Sequence, residues 1–268
     1  MLARLHGGLR RASRLLLRLL ARTALGFVVV TTAQVLAVRY FDPPTTLTVV
    51  QRAIEHTVGG DGLAWPARQP LPLEELGDLV PRAFVASEDG RFFLHGGFDW
   101  DGICSAVEKN AGGGRLRGGS TITQQVAKNV FLWQGRTWVR KGLEAWYTVL
   151  LELLVPKERI LELYLNVAET GPMTFGVEAG ARRWFGKPAS ALGPDEAGRL
   201  AGLLPDPRRR APTGAAAGSR SAFVQNNPAP FPGDPGFERA RDAWDARRHG
   251  PWQCMSAANL GFLTMSER

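Results

Sequence analysis

A chain of 268 residues with 44% hydrophobic residues and eight Trp has room for one packed domain and appendages, which excludes general disorder. Its 33 Lys and Arg against 25 Asp and Glu leave a net charge of +8. The distribution of that charge argues against nucleic acid as the partner: Arg4, Arg10, Arg11, Arg14, Arg18 and Arg22 crowd the N-terminus, and no acidic residue precedes Asp42.

Behind those arginines runs an uncharged, mostly apolar stretch from Thr23 to Val38, which Leu15 to Leu20 extend if Arg18 and Arg22 snorkel towards lipid headgroups. A helix needs about 20 residues to cross the hydrocarbon of a bilayer. Positive charge before the span and Tyr40 after it predict a cytoplasmic N-terminus (residues 1–22), a transmembrane anchor (15–39) and an exported remainder. A cleaved signal peptide competes with the anchor, on the small-residue pattern Val35-Leu-Ala37.

Residues 40–75 predict an irregular membrane-proximal segment, with Pro43-Pro44 and a Gly59-Gly-Asp-Gly62 break. From Leu76 to about Leu204 the periodicity is helical and the strand signal poor. Leu79, Val80, Ala83, Phe84 and Ser87 share a face leading into Glu88-Asp89, and Asp99 to Asn110 predicts a short helix. Thr121-Ile-Thr-Gln124 has capping-box spacing. The helix it opens carries an apolar stripe of Ile122, Val126 and Val130 and a polar one of Thr121, Gln125 and Lys128. Further helices are predicted from Trp138 to Val155, stopped by Pro156, from Lys157 to Glu169, and from Pro194 to near Leu204. After that, Ala211 to Gly236 is rich in Ala, Pro, Gly and Ser and predicts loop or disorder, with one short helix from Phe237 to Arg248. Cys104 and Cys254 are expected to be unpaired packing residues, and the four histidines show no metal-ligand spacing.

The polar stripe alone is compatible with an ordinary solvated helix face. Arg136, Arg140 and Lys141 follow Lys128, and Glu144 comes one turn after Arg140. Such a basic group suits a diphosphate, because charge-assisted bonds to phosphate oxygens are about twice as strong as neutral ones. Together with Glu88, it is what a reaction needs when a base activates a sugar hydroxyl and an anionic phosphate leaves.

Four ordered motifs resemble those of the peptidoglycan glycosyltransferases: Glu88-Asp-x-x-Phe-x-x-His95, Gly118-Gly-Ser-Thr-Ile-Thr-Gln-Gln-x-x-Lys-Asn129, Arg140-Lys-x-x-Glu144 and Ile160-Leu-Glu-x-Tyr-Leu-Asn166. The resemblance spans residues 76–207 and implies a mainly α, lysozyme-like domain with a small membrane-associated jaw, placed on the outer face of a bacterial inner membrane. It implies that lipid II and the nascent glycan chain are the substrates and that undecaprenyl diphosphate is released. Cell-wall synthesis or division proteins are the expected protein partners.

By the same resemblance Glu88 is the general base and Glu144 the second acidic residue, orienting the basic cluster or assisting the diphosphate. A structural salt bridge from Glu144 to Arg140 or Lys141 competes with that role. Lys128, Arg136, Arg140 and Lys141 are expected at the diphosphate, and Ser120, Thr121, Gln124 and Gln125 along the cleft. No cofactor is required, although a divalent cation (Mg or Mn) at the diphosphate is compatible with the chemistry. Asp89 is expected to orient neighbours or end a helix, and Phe92 and His95 to pack. Phe92, Phe93, Phe98, Trp100, Ile103 and Leu116 are candidates for the jaw. Two other readings are a lysozyme-like hydrolase, which would have no use for a diphosphate clamp, and a non-catalytic lipid II-binding scaffold. The sequence departs from the family after Leu204-Pro-Asp-Pro207, where an Arg-rich amphipathic helix usually follows, so residues 208–268 are expected to form a divergent, partly disordered tail.

Overall fold

The computed structural model describes residues 2–111, 119–135, 137–204 and 206–246. Helix α1 runs over Leu2–Tyr40, and its Arg14–Tyr40 portion is long and apolar enough to cross a membrane. Its C-terminal part also packs on the domain. Val35 and Val38 are buried, Trp146 Nε1 donates to Thr31 Oγ1 at 3.1 Å, and the Phe27 and Trp146 rings lie 5.7 Å apart. Arg159 closes this junction by donating to the Val38 carbonyl at 3.0 Å and pairing with Asp42 at 2.9 Å.

The membrane-proximal segment is more regular than its prolines and glycines suggest. Helix α2 (Leu47–Val58) starts at Thr46, whose hydroxyl accepts from Val49 N at 3.3 Å, and it buries Thr48, Val49 and Ala53. The glycine run after it ends the helix and does not extend into it. Strand β1 (Ala67–Arg68) follows, then a 3-10 turn at Leu73–Leu76.

The core is built by α3 (Leu79–Glu88), α5 (Ile122–Val126), α6 (Trp138–Leu154), α7 (Lys157–Val167), α8 (Val177–Phe185) and α9 (Pro194–Ala201), with α4 (Trp100–Ala111) between α3 and α5 in the chain. The apolar stripes meet there: Phe84 of α3 lies edge-on to Tyr164 of α7 at 6.4 Å, and Ile122, Leu151 and Leu200 are fully buried. Pro156 separates α6 from α7, since its missing N–H cannot continue the first helix. Asn166, from the last motif, has a structural task. Its amide donates to the Leu71 carbonyl at 2.8 Å and accepts from Leu71 N at 3.1 Å.

Against the poor strand signal, the described residues include three very short strands, with β3 (Thr174–Phe175) parallel to β1 and antiparallel to β2 (Glu169–Gly171); at two or three residues each, they are too short to show alternation. The segment expected as loop contains α10 (Ala215–Asn226), which packs on α9 and α3, and α11 (Phe237–Asp245) follows it. The tail is tied down further by Arg82, whose two terminal nitrogens donate to the Asp234 carboxylate at 2.7 and 2.8 Å. Ala-rich composition favours helix once a neighbour covers it, and Ala217, Ser221 and Val224 are the covered face. Cys104 is disulfide-bonded, which corrects the expectation of an unpaired residue. Cys254 and the tail beyond residue 246 lie outside the described residues.

Candidate active site

Glu88 is the last residue of α3, and the two carboxylates at that helix end have separate tasks. Asp89 is buried and accepts from the backbone N–H of Ile122 at 3.0 Å, while its other oxygen meets His95 Nε2 at 2.9 Å. His95 Nδ1 in turn accepts from Gly97 N at 3.2 Å, so the Nε2–H tautomer donates to Asp89. Gly97 has φ of 84°, and a Cβ there would lie 2.8 Å from side-chain atoms of Thr148 and Glu152. Only glycine fits this bend. Asp89 therefore fastens the start of α5 to the end of α3, and Phe92 is a core residue, as expected.

This fastening sets Gln125 over Glu88, and Gln125 Nε2 donates to Glu88 Oε2 at 3.1 Å. Burial raises the pKa of Glu88; the Gln125 hydrogen bond and the Arg220 charge pull it back, while Asp89 pushes it up. Beyond Val126 the helix widens into a π turn over Ala127–Phe131, which carries Lys128. Single π turns of this kind recur at functional sites. Burial lowers the Lys128 pKa; Glu144 and Glu88 oppose that, and Arg140 and Lys141 add to it. Lys128 thus stands electrostatically between the Glu88 carboxylate and the cluster on α6.

In that cluster Glu144 is buried and bonded to two cations. Arg140 Nη1 donates to one oxygen at 2.6 Å, and Lys141 Nζ binds the other. The salt bridges expected as the competing reading of Glu144 are present, and they tie Arg140 and Lys141 to one carboxylate. Arg140 Nε is buried with no partner among the described residues, and Lys141 remains half exposed.

The remaining candidates divide. Ser120 is exposed near the start of α5. Thr121 and Gln124 are buried and committed to the helix cap: Thr121 Oγ1 accepts from Gln124 N at 3.2 Å, and Gln124 Oε1 accepts from Thr121 N at 3.0 Å. Thr121 also donates to the Gly97 carbonyl at 2.7 Å. Burial and these bonds occupy both side chains, and neither is among the residues that line the cleft of Gln125 and Lys128. Arg136 and Leu116 lie outside the described residues. Of the jaw candidates, Phe92 is in the core and Phe93 is covered by Phe231 at 4.7 Å, whereas Phe98 and Trp100 stack on each other at 5.7 Å.

Sequence reasoning missed Arg52, Glu169 and Arg220. Gln125, Lys128 and Glu169 line one cleft, and Arg52 from α2 donates to Glu169 Oε2 through Nε and Nη2, each at 3.2 Å. Glu169 Oε1 is buried without a partner among the described residues, and burial raises the pKa of its carboxyl. Nothing local marks these residues. Each reaches the site because a distant segment returns to it.

A family model described as transglycosylase matches residues 55–227, and the chain belongs to that family. A biosynthetic peptidoglycan transglycosylase of Xanthomonas campestris pv. campestris (strain B100) is 49% identical over 234 residues, covering 86% of this chain and 94% of the relative. Its namesake in Xanthomonas axonopodis pv. citri (strain 306) is 49% identical over 219 residues, covering 81% and 88%. One from Xylella fastidiosa (strain M12) is 49% identical over 183 residues, covering 65% and 72%. The family match begins inside α2 and ends with α10, so it takes in both flanks of the span read from the motifs.

Proposed function

We propose that the chain is a peptidoglycan glycosyltransferase that lengthens glycan strands from lipid II at a membrane surface. The observation that carries the site assignment is Glu88. It is a carboxylate at a helix end, bonded to one neutral donor, and it faces Lys128, which itself faces the Arg140–Lys141–Glu144 cluster.

In this reading Glu88 accepts the proton of the GlcNAc 4-hydroxyl of lipid II as that oxygen attacks C1 of the MurNAc at the end of the growing chain. The new C1–O4 bond forms on the face opposite the diphosphate, the C1–O bond to phosphate breaks, and α configuration becomes β. Undecaprenyl diphosphate departs as a stabilised anion, so a single carboxylate suffices. A glycosidase, by contrast, needs a second carboxyl to protonate its leaving oxygen. Lys128, Arg136, Arg140 and Lys141 neutralise the charge building on the leaving group, where preorganised cations act most strongly. Glu144 holds two of these cations in place.

A divalent ion finds no group of three ligating side chains among the described residues, and both Glu144 oxygens already bond cations. No step is routed through a metal. Anchoring by α1 suits polyprenyl-linked substrates, because enzyme and lipid then meet in two dimensions at high effective concentration. The positive charge ahead of the apolar span supports a domain on the outer face of the inner membrane.

The test is polymerisation of purified lipid II by the full-length chain. Glu88→Gln is expected to bind lipid II and to make no glycan, and strands forming at near wild-type rate would remove Glu88 from its role. Lys128→Ala is expected to lower turnover at least tenfold, about 1.4 kcal/mol at the barrier.

A further inference from the structure

The segment after Pro207, which the family match includes as far as residue 227, makes a contact with the helix that carries Glu88. Helix α10 is seated on α9 with little freedom to slide. A Cβ at Gly198 would lie 2.8 Å from Ser221 Cα, and one at Gly202 would lie 3.0 Å from both Ala217 Cα and Arg220 Cβ. Ser221 Oγ donates to Asp195 Oδ1 at 2.7 Å, and Arg199 Nη1 donates to the Pro212 carbonyl at 2.9 Å. The register so fixed carries Arg220 to the last turn of α3, where its Nη1 donates to the Ser87 carbonyl at 3.3 Å.

That position matters for electrostatic reasons. The C-terminal end of a helix carries unsatisfied carbonyls and about half a negative charge. Glu88 occupies that end and Asp89 follows it, so the helix and its neighbour both disfavour an ionised Glu88. We propose that Arg220 is a positioning residue for the catalytic base, fixing the end of α3 through the Ser87 carbonyl and setting positive charge beside the Glu88 carboxylate. The inference rests on the assignment of Glu88 made above.

The groups facing Glu88 come from five segments. Asp89 just beyond α3 and the Tyr164 hydroxyl on α7 belong to acids; Gln125 on α5 is a neutral donor. The cations are Lys128 on the π turn and Arg220 on α10. Lys128 is assigned to the leaving diphosphate, so Arg220 is the cation left to the base alone. Its charge opposes the upward push of burial and favours the anionic form of Glu88.

The experiment measures kcat and KM against pH for lipid II polymerisation by the full-length wild type, Arg220→Gln and Arg220→Lys. Arg220→Gln is expected to keep KM and to move the acidic limb of kcat to higher pH. A one-unit move lowers kcat about tenfold on the acidic side of the limb, with recovery as the pH is raised. Arg220→Lys is expected to restore most of the wild-type limb, because it returns the charge. A pH-independent loss in Arg220→Gln, matched by Arg220→Lys, would make Arg220 a structural strut and overturn the proposal. An unchanged profile in Arg220→Gln would overturn it as well. If Arg220→Gln does not fold, a limb displaced in Arg220→Lys despite its retained charge has the same consequence. Glu88→Gln, run alongside, separates the two claims: an active Glu88→Gln removes the base assignment, whereas an inactive Glu88→Gln with an unmoved Arg220→Gln limb removes only this inference.

Discussion

Burial and the negative end of α3 both work against an ionised Glu88, and Gln125 and Arg220 work for it. A carboxyl whose pKa is higher folded than unfolded binds more protons in the folded state between those two values. Stability therefore falls as pH rises through that window. The consequence is a prediction in which activity and stability diverge. Glu88→Gln keeps the acceptor for Gln125 Nε2 and removes the buried charge, so it is expected to abolish polymerisation while melting at or above the wild-type temperature near neutral pH. Thermal unfolding of the two full-length chains checks it, and a clearly lower melting temperature for Glu88→Gln would show that the ionised carboxylate stabilises the fold. Motif spacing singled out Glu88, Lys128 and Glu144, and the fold brings both carboxylates within electrostatic reach of Lys128. For Gln124 the capping-box spacing that starts α5 was equally legible, and it occupies the amide oxygen. Arg52, Glu169 and Arg220 were illegible because their partners lie more than 100 residues away in the chain.

Helix starts and stops were legible wherever a side chain or proline enforces them, as at Thr121, Pro156 and Pro194. Helix α10 lacked such marks, and the close seat that Gly198 and the capping Gly202 of α9 leave for it accounts for its packing there. Two glycines in helices give opposite expectations. Gly142, inside α6, has open space where a Cβ would go, so Gly142→Ala should gain up to about 1 kcal/mol from helix propensity alone. Gly198 in α9 would drive its Cβ into the backbone of α10 at 2.8 Å, and overpacking of this kind costs about 1–3 kcal/mol. Gly198→Ala is therefore expected to lower the melting temperature although Ala is the better helix former. If Gly198→Ala stabilised the chain as Gly142→Ala does, α10 would not be seated on α9 as described.

Helix α1 was legible as an apolar span, but its second role was not, because periodicity cannot say which residues of such a helix meet protein. Its exposed apolar surface includes Val29 at 58% exposure, whereas Val35 is fully buried against the domain. This helix is in that sense also a core helix, and it holds α6 through Trp146 and Tyr147, within one turn of Glu144. Truncating a buried valine to alanine removes two carbons at about 0.8 kcal/mol each, so Val35→Ala should cost about 1.6 kcal/mol. Val29→Ala should leave the unfolding temperature of the full-length chain in detergent unchanged. A tether that only holds the enzyme at the bilayer would make the two substitutions equivalent. A cost confined to Val35 requires the membrane helix and the glycosyltransferase domain to unfold as one cooperative unit, so that the orientation of the site relative to the bilayer is built into the core.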